Sequence, residues 1–398
     1  MNRHSHLLLL GSASLLMLAP AISRAQDYIQ TNLVSDQSGV AIHTDTTMVN
    51  PWGISSSASS PFWVSDNGTG IATLYNTLGV RNNNLFPTIP VPTNGPTGAT
   101  AAPTGQVFNG TSDFQIAANT PSHFIFATED GTISAWNSGN AAVLKVDNSG
   151  DSGGAVNPNG AVYKGLAIGS ATVNNVTGNY LYAANFRSGN IDVFDKNYAA
   201  ATLKGNFTDP NMPSGYAPFN IQNINGNLYV TYAKQDSLKH DDVAGAGNGF
   251  IDQFNTDGTF VQRIASGTDV GGTLTQLNSP WGLAKAPANF GIFSNDLLVG
   301  NFGSGNIDAF SFGGSYLGQL DDTNGNPLAI DGLWGLIPGN GGNGGYANQI
   351  YFSAGPDGET HGLFGTLENT PEPGAYATYL IGGLCTVGFV LRHRRKKS

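Results

Sequence analysis

The chain has 398 residues, of which 54 are glycine and only 11% are charged; this turn-rich composition excludes a protein built from long amphipathic helices. A hydrophobic fraction of 40% is sufficient for a core and excludes a disordered chain. The formal net charge is −10, and because residues 1–25 carry +2 and residues 371–398 carry +4, residues 26–370 carry −16. A surface this acidic repels polyanions, so nucleic acid is not expected as a partner.

The first 25 residues have the pattern of a secretory signal peptide. A short basic start is followed by an apolar run over 7–20 and by the small-residue cleavage site Ser23-Arg24-Ala25. We therefore expect a signal peptide at 1–25 and an exported body at 26–370. A retained N-terminal anchor is the alternative.

One hairpin pattern recurs along the body. Residues 185–194 (NFRSGNIDVF) and 301–310 (NFGSGNIDAF) are identical at eight of ten positions. An apolar run, a Ser-Gly turn and an alternating segment are typical of two antiparallel strands. Because a strand rather than a helix follows the turn, a phosphate-binding loop is not expected. Counting weaker copies, the closing aromatic residues are spaced by 54 to 61 positions: Tyr75, Trp136, Phe194, Phe254, Phe310 and Phe364.

Regular spacing of several short strands per unit predicts radial repetition. An alternating strand at 28–35 precedes all six units, and the last unit has no fourth strand before Pro371. A ring in which the N-terminal strand joins the last sheet leaves no open edge. The sequence therefore predicts an all-β fold, a six-bladed β-propeller closed by its N-terminal strand.

The clearest unit openings are 51–54 (PWGI), 280–283 (PWGL) and 333–336 (LWGL). We expect them to be innermost strands, with Gly accommodating crowding near the axis and Trp packing between blades. The outer strand of unit one is expected at 84–91. Unit four carries a polar insertion at 234–248.

The last 28 residues, 371–398, have three parts in order. An apolar stretch at 374–391 can just span a bilayer as a transmembrane helix, and the basic cluster behind it favours a cytoplasmic C-terminus. A Pro-Glu-Pro motif precedes the stretch. The residues of the motif and the main cluster are Pro371, Glu372, Pro373, Arg392, Arg394 and Arg395.

This order resembles the PEP-CTERM sorting signal of exported proteins of Gram-negative bacteria. The resemblance implies an exosortase as processing partner and loss of the helix on cleavage near Pro-Glu-Pro. It also implies an inner-membrane-anchored precursor and a mature protein at the cell surface or in the extracellular matrix. The unit openings resemble those of NHL and gluconolactonase-like propellers. The whole chain is similar to exported bacterial propellers of unknown function, from which no catalytic residue set can be transferred.

An oxygen-rich ring is the candidate site of the central channel. Aligning the units on their closing aromatics superposes Asp66, Asn185 and Asn301, with Glu129 one or two positions away. Carboxylate and amide oxygens suit Ca²⁺. Asp and Asn are also frequent in turns because they cap their own backbone, and we favour that interpretation. The sequence is therefore compatible with no cofactor or with a bound Ca²⁺.

Other polar residues are assigned structural roles. We expect the repeated Asp192, Asp252 and Asp308 to bond the N–H groups of neighbouring turns. The body histidines lack the spacing of a zinc site. The insertion at 234–248 contains His240 within the densest charge of the body, so it is either a functional loop or, as we favour, a solvated one.

The sequence has no His-Glu-x-x-His motif of a metal-dependent hydrolase. The only cysteine, Cys385, lies in the tail, which leaves the body without a disulfide or a thiol nucleophile. The favoured hypothesis is a non-enzymatic binding module for extracellular polysaccharide or a surface protein. The alternative is a divalent-metal-dependent, lactonase-like hydrolase with its site in the channel. A purely structural matrix component is the third.

Overall fold

The computed structural model describes residues 27–267 and 277–370. The signal peptide at 1–25 and the sorting segment at 371–398 lie outside the described residues, so both stay predictions. Within the described ranges, no helix has the length and apolar character needed to cross a membrane.

The chain begins with two strands that later complete the last blade, β1 (Tyr28–Ser35) and β2 (His43–Thr44). Blades one to three follow. Their strands, with a small hairpin β7–β8 inserted in blade two, are β3 (Pro51–Ser55), β4 (Phe62–Asp66), β5 (Ile71–Tyr75), β6 (Pro103–Phe108), β7 (Gln115–Ala117), β8 (Thr120–Pro121), β9 (Phe124–Thr128), β10 (Thr132–Trp136), β11 (Val143–Asp147), β12 (Tyr163–Val173), β13 (Val176–Asn185) and β14 (Asn190–Phe194).

Blades four to six complete the ring. They include a 3₁₀ turn at Gly291–Phe293 and one short helix, α1 (Pro356–Glu359). Their strands are β15 (Tyr216–Ile224), β16 (Asn227–Lys234), β17 (Gly249–Asn255), β18 (Phe260–Ser266), β19 (Pro280–Lys285), β20 (Leu297–Asn301), β21 (Ile307–Phe310), β22 (Tyr316–Gln319), β23 (Leu333–Pro338), β24 (Ile350–Ala354) and β25 (Leu363–Asn369).

The N-terminal strand closes the ring as predicted. β1 pairs antiparallel with β25 along its whole length, from Tyr28 opposite Asn369 to Ser35 opposite Leu363. The innermost strands β3, β6, β12, β15, β19 and β23 contact one another in that order, and β23 contacts β3. The protein is therefore a six-bladed β-propeller.

The repeated aromatic residues pack between neighbouring blades. All six closing aromatics of the units are buried. At the closure of the ring, Tyr75 of blade one stacks on Phe364 of blade six with ring centroids 5.6 Å apart. Regular spacing in the sequence thus reflects one buried aromatic ring per blade.

The expected outer strand at 84–91 is not formed. Blades one and three have three strands each, and Thr88 makes only isolated bridges, to Ile71 and to Ala141. Pro87 and Pro90 lie within the expected strand and have no N–H to donate to a ladder. The alternation of apolar residues favours a strand, but the two missing backbone N–H groups prevent a continuous ladder.

Crowding of the innermost strands explains their glycines. A Cβ atom on Gly282 would lie 2.7 Å from the backbone oxygen of Trp334 on the next blade. Gly282→Ala is expected to lower the free energy of unfolding by about 1–3 kcal/mol, because the two strands would have to move apart. Urea denaturation measures the loss. Gly313→Ala is the control, since its Cβ would meet nothing closer than 3.7 Å; an equal loss in both variants would contradict this explanation.

Candidate functional site

An aromatic cluster closes the central channel. Trp52 and Trp334 stack with centroids 3.5 Å apart, and Trp281 meets the two rings edge-on at 6.0 and 5.9 Å. Phe302 lies parallel to Trp334 at 3.9 Å. Trp52 and Trp281 belong to blades that are not neighbours, so these tryptophans meet across the channel. The expected packing between blades holds for Trp334, which contacts Trp52 and Trp281 of the two neighbouring blades, and the three rings in addition meet at the axis.

A polar cluster lies over these aromatics at the mouth where the innermost strands begin. It consists of Glu129, Lys164, His240 and Asp241, called here the mouth cluster. The Lys164 ammonium bonds Glu129 and lies 3.1 Å from Asp241 Oδ1. It also lies 5.0 Å from the centre of the Trp52 ring. The side chain of Lys164 is 2% exposed, whereas that of Asp241 is 64% exposed, so Asp241 is the solvent-facing partner.

A chain of amides extends the mouth cluster towards blades one and six. Asn67 Nδ2 donates to Glu129 Oε2 at 2.8 Å. Asn50 Nδ2 donates to Glu359 Oε2 at 2.7 Å and to Asn67 Oδ1 at 3.3 Å. The Trp334 indole in turn donates to Asn50 Oδ1 at 3.0 Å. The mouth and the aromatic cluster therefore form one hydrogen-bonded unit.

Neighbouring charges fix the ionisation of the mouth cluster. Burial opposes the charge of Lys164, but the carboxylates of Glu129 and Asp241 outweigh it and raise the lysine pKa. A hydrogen bond from His240 Nδ1, 3.0 Å from Asp241 Oδ1, holds the pKa of Asp241 well below its usual range. The same bond raises the pKa of His240. Lys164 and Asp241 therefore form an ion pair at neutral pH.

Two further carboxyl groups face this network. Burial raises the pKa of Glu359 and of Asp242. The positive charge of Lys164 opposes part of this rise in the pKa of both groups. Glu359 accepts from Asn50, and Asp242 follows Asp241 in the chain, so with Glu129 and Asp241 four carboxyl groups belong to this region. The mouth therefore has a surplus of hydrogen-bond acceptors.

The mouth also contains the one cluster of potential metal ligands found among the described residues. The ligand atoms of Glu129, His240 and Asp241 all lie within 4.8 Å of one another. One imidazole nitrogen and two carboxylate oxygens suit Zn²⁺ better than Ca²⁺, which prefers oxygen ligands only. Against this, the Lys164 ammonium bonds both carboxylates, and its positive charge repels a cation.

Of the four residues predicted to form an oxygen ring, only Glu129 faces the mouth. Asn185 Nδ2 donates to Asp192 at 3.0 Å within blade three, and Asn301 Nδ2 donates to Asp308 at 2.9 Å within blade five. Asp66 occupies the equivalent position of blade one, opposite the first residue of the innermost strand. The four side chains therefore do not share one site, and metal binding stays a prediction.

A shift of one residue along the strand explains why Glu129 faces the mouth and Asp66 does not. The residue of blade two equivalent to Asp66 is Thr128, which pairs with Pro103, and Glu129 follows it. Successive side chains of an extended strand point to opposite faces. Residues one position after the aligned set, such as Asn67 and Phe302, also face the channel.

The repeated aspartates have structural roles, as expected, although their partners are side chains. Asp192 accepts from the Tyr163 hydroxyl at 2.9 Å as well as from Asn185. Asp308 Oδ1 accepts from Gln319 Nε2 at 3.0 Å. In blade three these bonds join the innermost, second and third strands, and in blade five they join the second, third and outer strands.

Asp66 differs from the equivalent residues of the other blades in its surroundings. It is fully buried, and neither carboxylate oxygen has a hydrogen-bond partner among the described residues. Burial, together with the Asp45 carboxylate, raises its pKa well above the usual value. Asn185 and Asn301 stand at the same position in blades three and five.

We expect Asp66→Asn to stabilise the protein by about 1–2 kcal/mol at pH 8, because an amide cannot ionise in this buried position. A raised folded-state pKa contributes stability that is present at low pH and lost as the pH rises. The gain from Asp66→Asn should therefore shrink towards pH 4, as measured by urea denaturation across this range. A gain that does not depend on pH would contradict the assignment.

Sequence reasoning found the insertion at 234–248 but missed Lys164. The insertion brings His240 and Asp241 to the mouth, so it is more than a solvated loop. Lys164-Gly165 takes the place of the Trp-Gly of blades one, five and six. A charged residue at that apolar position was the signal that could have identified it.

Comparisons with known proteins identify uncharacterised viral relatives, two of which match most of this chain. No family model matches the chain. Protein R648 of Acanthamoeba polyphaga mimivirus is 34% identical over 350 residues, covering 84% of this chain and 78% of the relative. Protein L690 of the same virus is 34% identical over 352 residues, covering 84% of each.

Solved structures are similar at a lower level. An α-L-arabinanase of Penicillium chrysogenum complexed with arabinobiose is 9% identical with a TM-score of 0.49, covering 85% of this chain and 97% of the arabinanase. The calcium-binding protein regucalcin of Agrobacterium tumefaciens is 10% identical with a TM-score of 0.46, covering 81% and 91%. Likeness at this level carries no argument about function.

Proposed function

We propose that this chain, which belongs to the family of the mimivirus proteins R648 and L690, is a non-enzymatic binding module. Its channel mouth holds a hydroxyl-rich ligand of the glycan class. The observation that carries the proposal is the surplus of acceptors around Lys164. Glycan hydroxyls donate to carboxylates and accept from amides. The mouth presents both kinds of group side by side, with Asn67 beside Glu129 and Asn50 beside Glu359.

The proposal includes the export route implied by the termini. The body would be exported, processed by an exosortase at the segment 371–373, and displayed at the cell surface or in the extracellular matrix of a Gram-negative bacterium. An extracellular polysaccharide carries the hydroxyl groups that the mouth would bind and is found at the cell surface, where the protein would be displayed. The acidic body is consistent with a neutral rather than an anionic glycan.

A glycan array followed by titration calorimetry tests the binding site. Glu359→Gln keeps an acceptor for Asn50 but removes a charge from the mouth, and we expect it to weaken glycan binding about tenfold. Asp322→Asn, on a turn at 322–326, is the control and should bind as the parent does. Absence of any glycan ligand, or equal weakening in both variants, would overturn the proposal.

A second candidate is a divalent-metal-dependent, lactonase-like hydrolase, favoured by the proximity of Glu129, His240 and Asp241. The two candidates differ in metal content. For the binding module we expect no stoichiometric divalent ion in the purified protein and no change of melting temperature on chelation. A stoichiometric ion and a lower melting temperature after chelation would favour the hydrolase and justify a screen of lactone substrates.

A further inference from the structure

The opposite mouth of the channel contains a separate cavity, called here the rear cavity. Its volume is about 320 Å³, and it is lined by the innermost strands of five blades, at their ends in blades one, two, four and six and at the middle of β12 in blade three. The innermost strands run from the mouth cluster to this end, from Lys164 to Ile168 in blade three. The tryptophan cluster lies between the two mouths, so the rear cavity is distinct from the site described above.

Two buried polar atoms in this region have no hydrogen-bond partner among the residues that the structure describes. Gln106 lines the cavity and is 6% exposed; its Nε2 donates to the backbone oxygens of Gly53 and Trp63 at 2.6 and 2.7 Å. Its Oε1 has no hydrogen-bond partner in the described part of the chain. The hydroxyl of Ser55, a lining residue that is 7% exposed, likewise has none there. Solvent reaches neither atom in this structure, so the wall must open slightly to admit a donor. A buried polar atom left unpaired costs about 1–3 kcal/mol, and a ligand that donates to it would offset this cost.

The rest of the wall is uncharged and mixes apolar side chains with polar ones, the latter from Ser56, Gln222 and Asn223. Half-buried isoleucines from three blades, Ile54, Ile168 and Ile337, surround the opening, with Val107 and Phe108 beside them. None of the lining residues carries a charge. Apolar side chains combined with fixed polar atoms are the usual lining of a small-molecule site. The absence of charge along it disfavours metal ions and phosphate.

We propose that the rear cavity binds a small neutral molecule with an apolar body and at least one hydroxyl or amide N–H, which donates to Gln106 Oε1 or to the Ser55 hydroxyl. The volume corresponds to roughly ten water molecules at about 30 Å³ each, so the ligand is of the size of a substituted six-membered ring. This inference does not depend on glycan binding at the other mouth.

Benzyl alcohol and toluene are suitable probes because they differ in one hydroxyl. Nuclear magnetic resonance of isoleucine methyl groups in the intact protein should show saturable shifts at Ile54, Ile168 and Ile337. Benzyl alcohol should bind several-fold more tightly than toluene. Ser55→Ala should remove that preference for the alcohol. It should leave the fold intact, because the Ser55 hydroxyl bonds no other group among the described residues.

Ile168→Trp should fill the cavity and abolish the shifts of both probes. Ile292→Trp, at a residue that is 56% exposed on the 3₁₀ turn, is the matched control and should bind as the parent does. The proposal is overturned if neither probe gives saturable shifts up to its solubility limit, or if the shifts survive Ile168→Trp. Equal affinity for the two probes, unchanged by Ser55→Ala, would overturn the assigned polar anchor.

Discussion

Replacing Arg263 by methionine is expected to lower the free energy of unfolding by about 3–5 kcal/mol, because the change leaves two buried carboxyl groups without their shared cation. Arg263 Nε lies 3.1 Å from Asp252 Oδ1, and its Nη2 bonds Asp209. The side chains of Asp252 and Asp209 are 0% and 1% exposed. Breaking one partner out of such a group costs far more than the group itself contributes.

The loss should depend on pH. Burial raises the pKa of Asp252 to about 7; Arg263 opposes this effect, and the Asp209 carboxylate adds to it. Because this folded-state pKa lies above the ordinary value of 3.8, the stability that Asp252 contributes is complete below pH 4 and is lost as the pH rises through 7. Arg263→Met removes the opposing cation, so its destabilisation should be larger at pH 8 than at pH 5.

Urea denaturation of the parent and the variant at the two pH values measures both effects. Adding Asp252→Asn should restore part of the stability of Arg263→Met at pH 8. Lys204→Met is the control, since this lysine is 73% exposed and lies 3.9 Å from Asp257; exposed pairs contribute little. A loss below 1 kcal/mol for Arg263→Met, or a loss equal to that of the control, would contradict the argument.

The number and closure of the blades could be predicted because both depend on patterns along the chain. The closing aromatics Tyr75 and Phe364 recur at fixed positions of each unit, and the strand at 28–35 had no partner within its own unit. The expected strand at 84–91 failed for a local reason, since the donors removed by Pro87 and Pro90 weigh more than apolar alternation.

The candidate site was less predictable because it depends on which face a side chain occupies. Alignment of the units placed Asp66 and Glu129 together, yet the one-position difference between them points their side chains in opposite directions. Lys164 joins Glu129 and Asp241 across 35 and 77 positions of sequence. No spacing rule covers such a contact, because it is created by the meeting of blades at the channel mouth.

Lys164→Met is the change with the largest expected effect at the mouth. Glu129, whose side chain is 14% exposed, would lose its cation, and we expect the free energy of unfolding to fall by about 3 kcal/mol. Asp241 is largely exposed and adds little to the loss. Urea denaturation measures this loss of stability. The double variant Glu129→Gln/Lys164→Met should recover most of the loss if it comes from the unpaired charge of Glu129, and little of it if it comes from lost packing on Trp52.

The same variant should gain affinity for Zn²⁺. Without the ammonium, the ligand atoms of Glu129, His240 and Asp241 remain within 4.8 Å of one another, and the repulsion that disfavours a cation is gone. At a Zn²⁺ concentration of 100 times the dissociation constant, binding would return about 2.7 kcal/mol of stability. Titration calorimetry of the parent and the variant measures the gain, and His240→Ala in the variant background should abolish it. Equal Zn²⁺ affinity of the parent and Lys164→Met would show that the lysine does not block the ligands. Only tight Zn²⁺ binding by the parent itself would favour the metal-dependent hydrolase over the binding module.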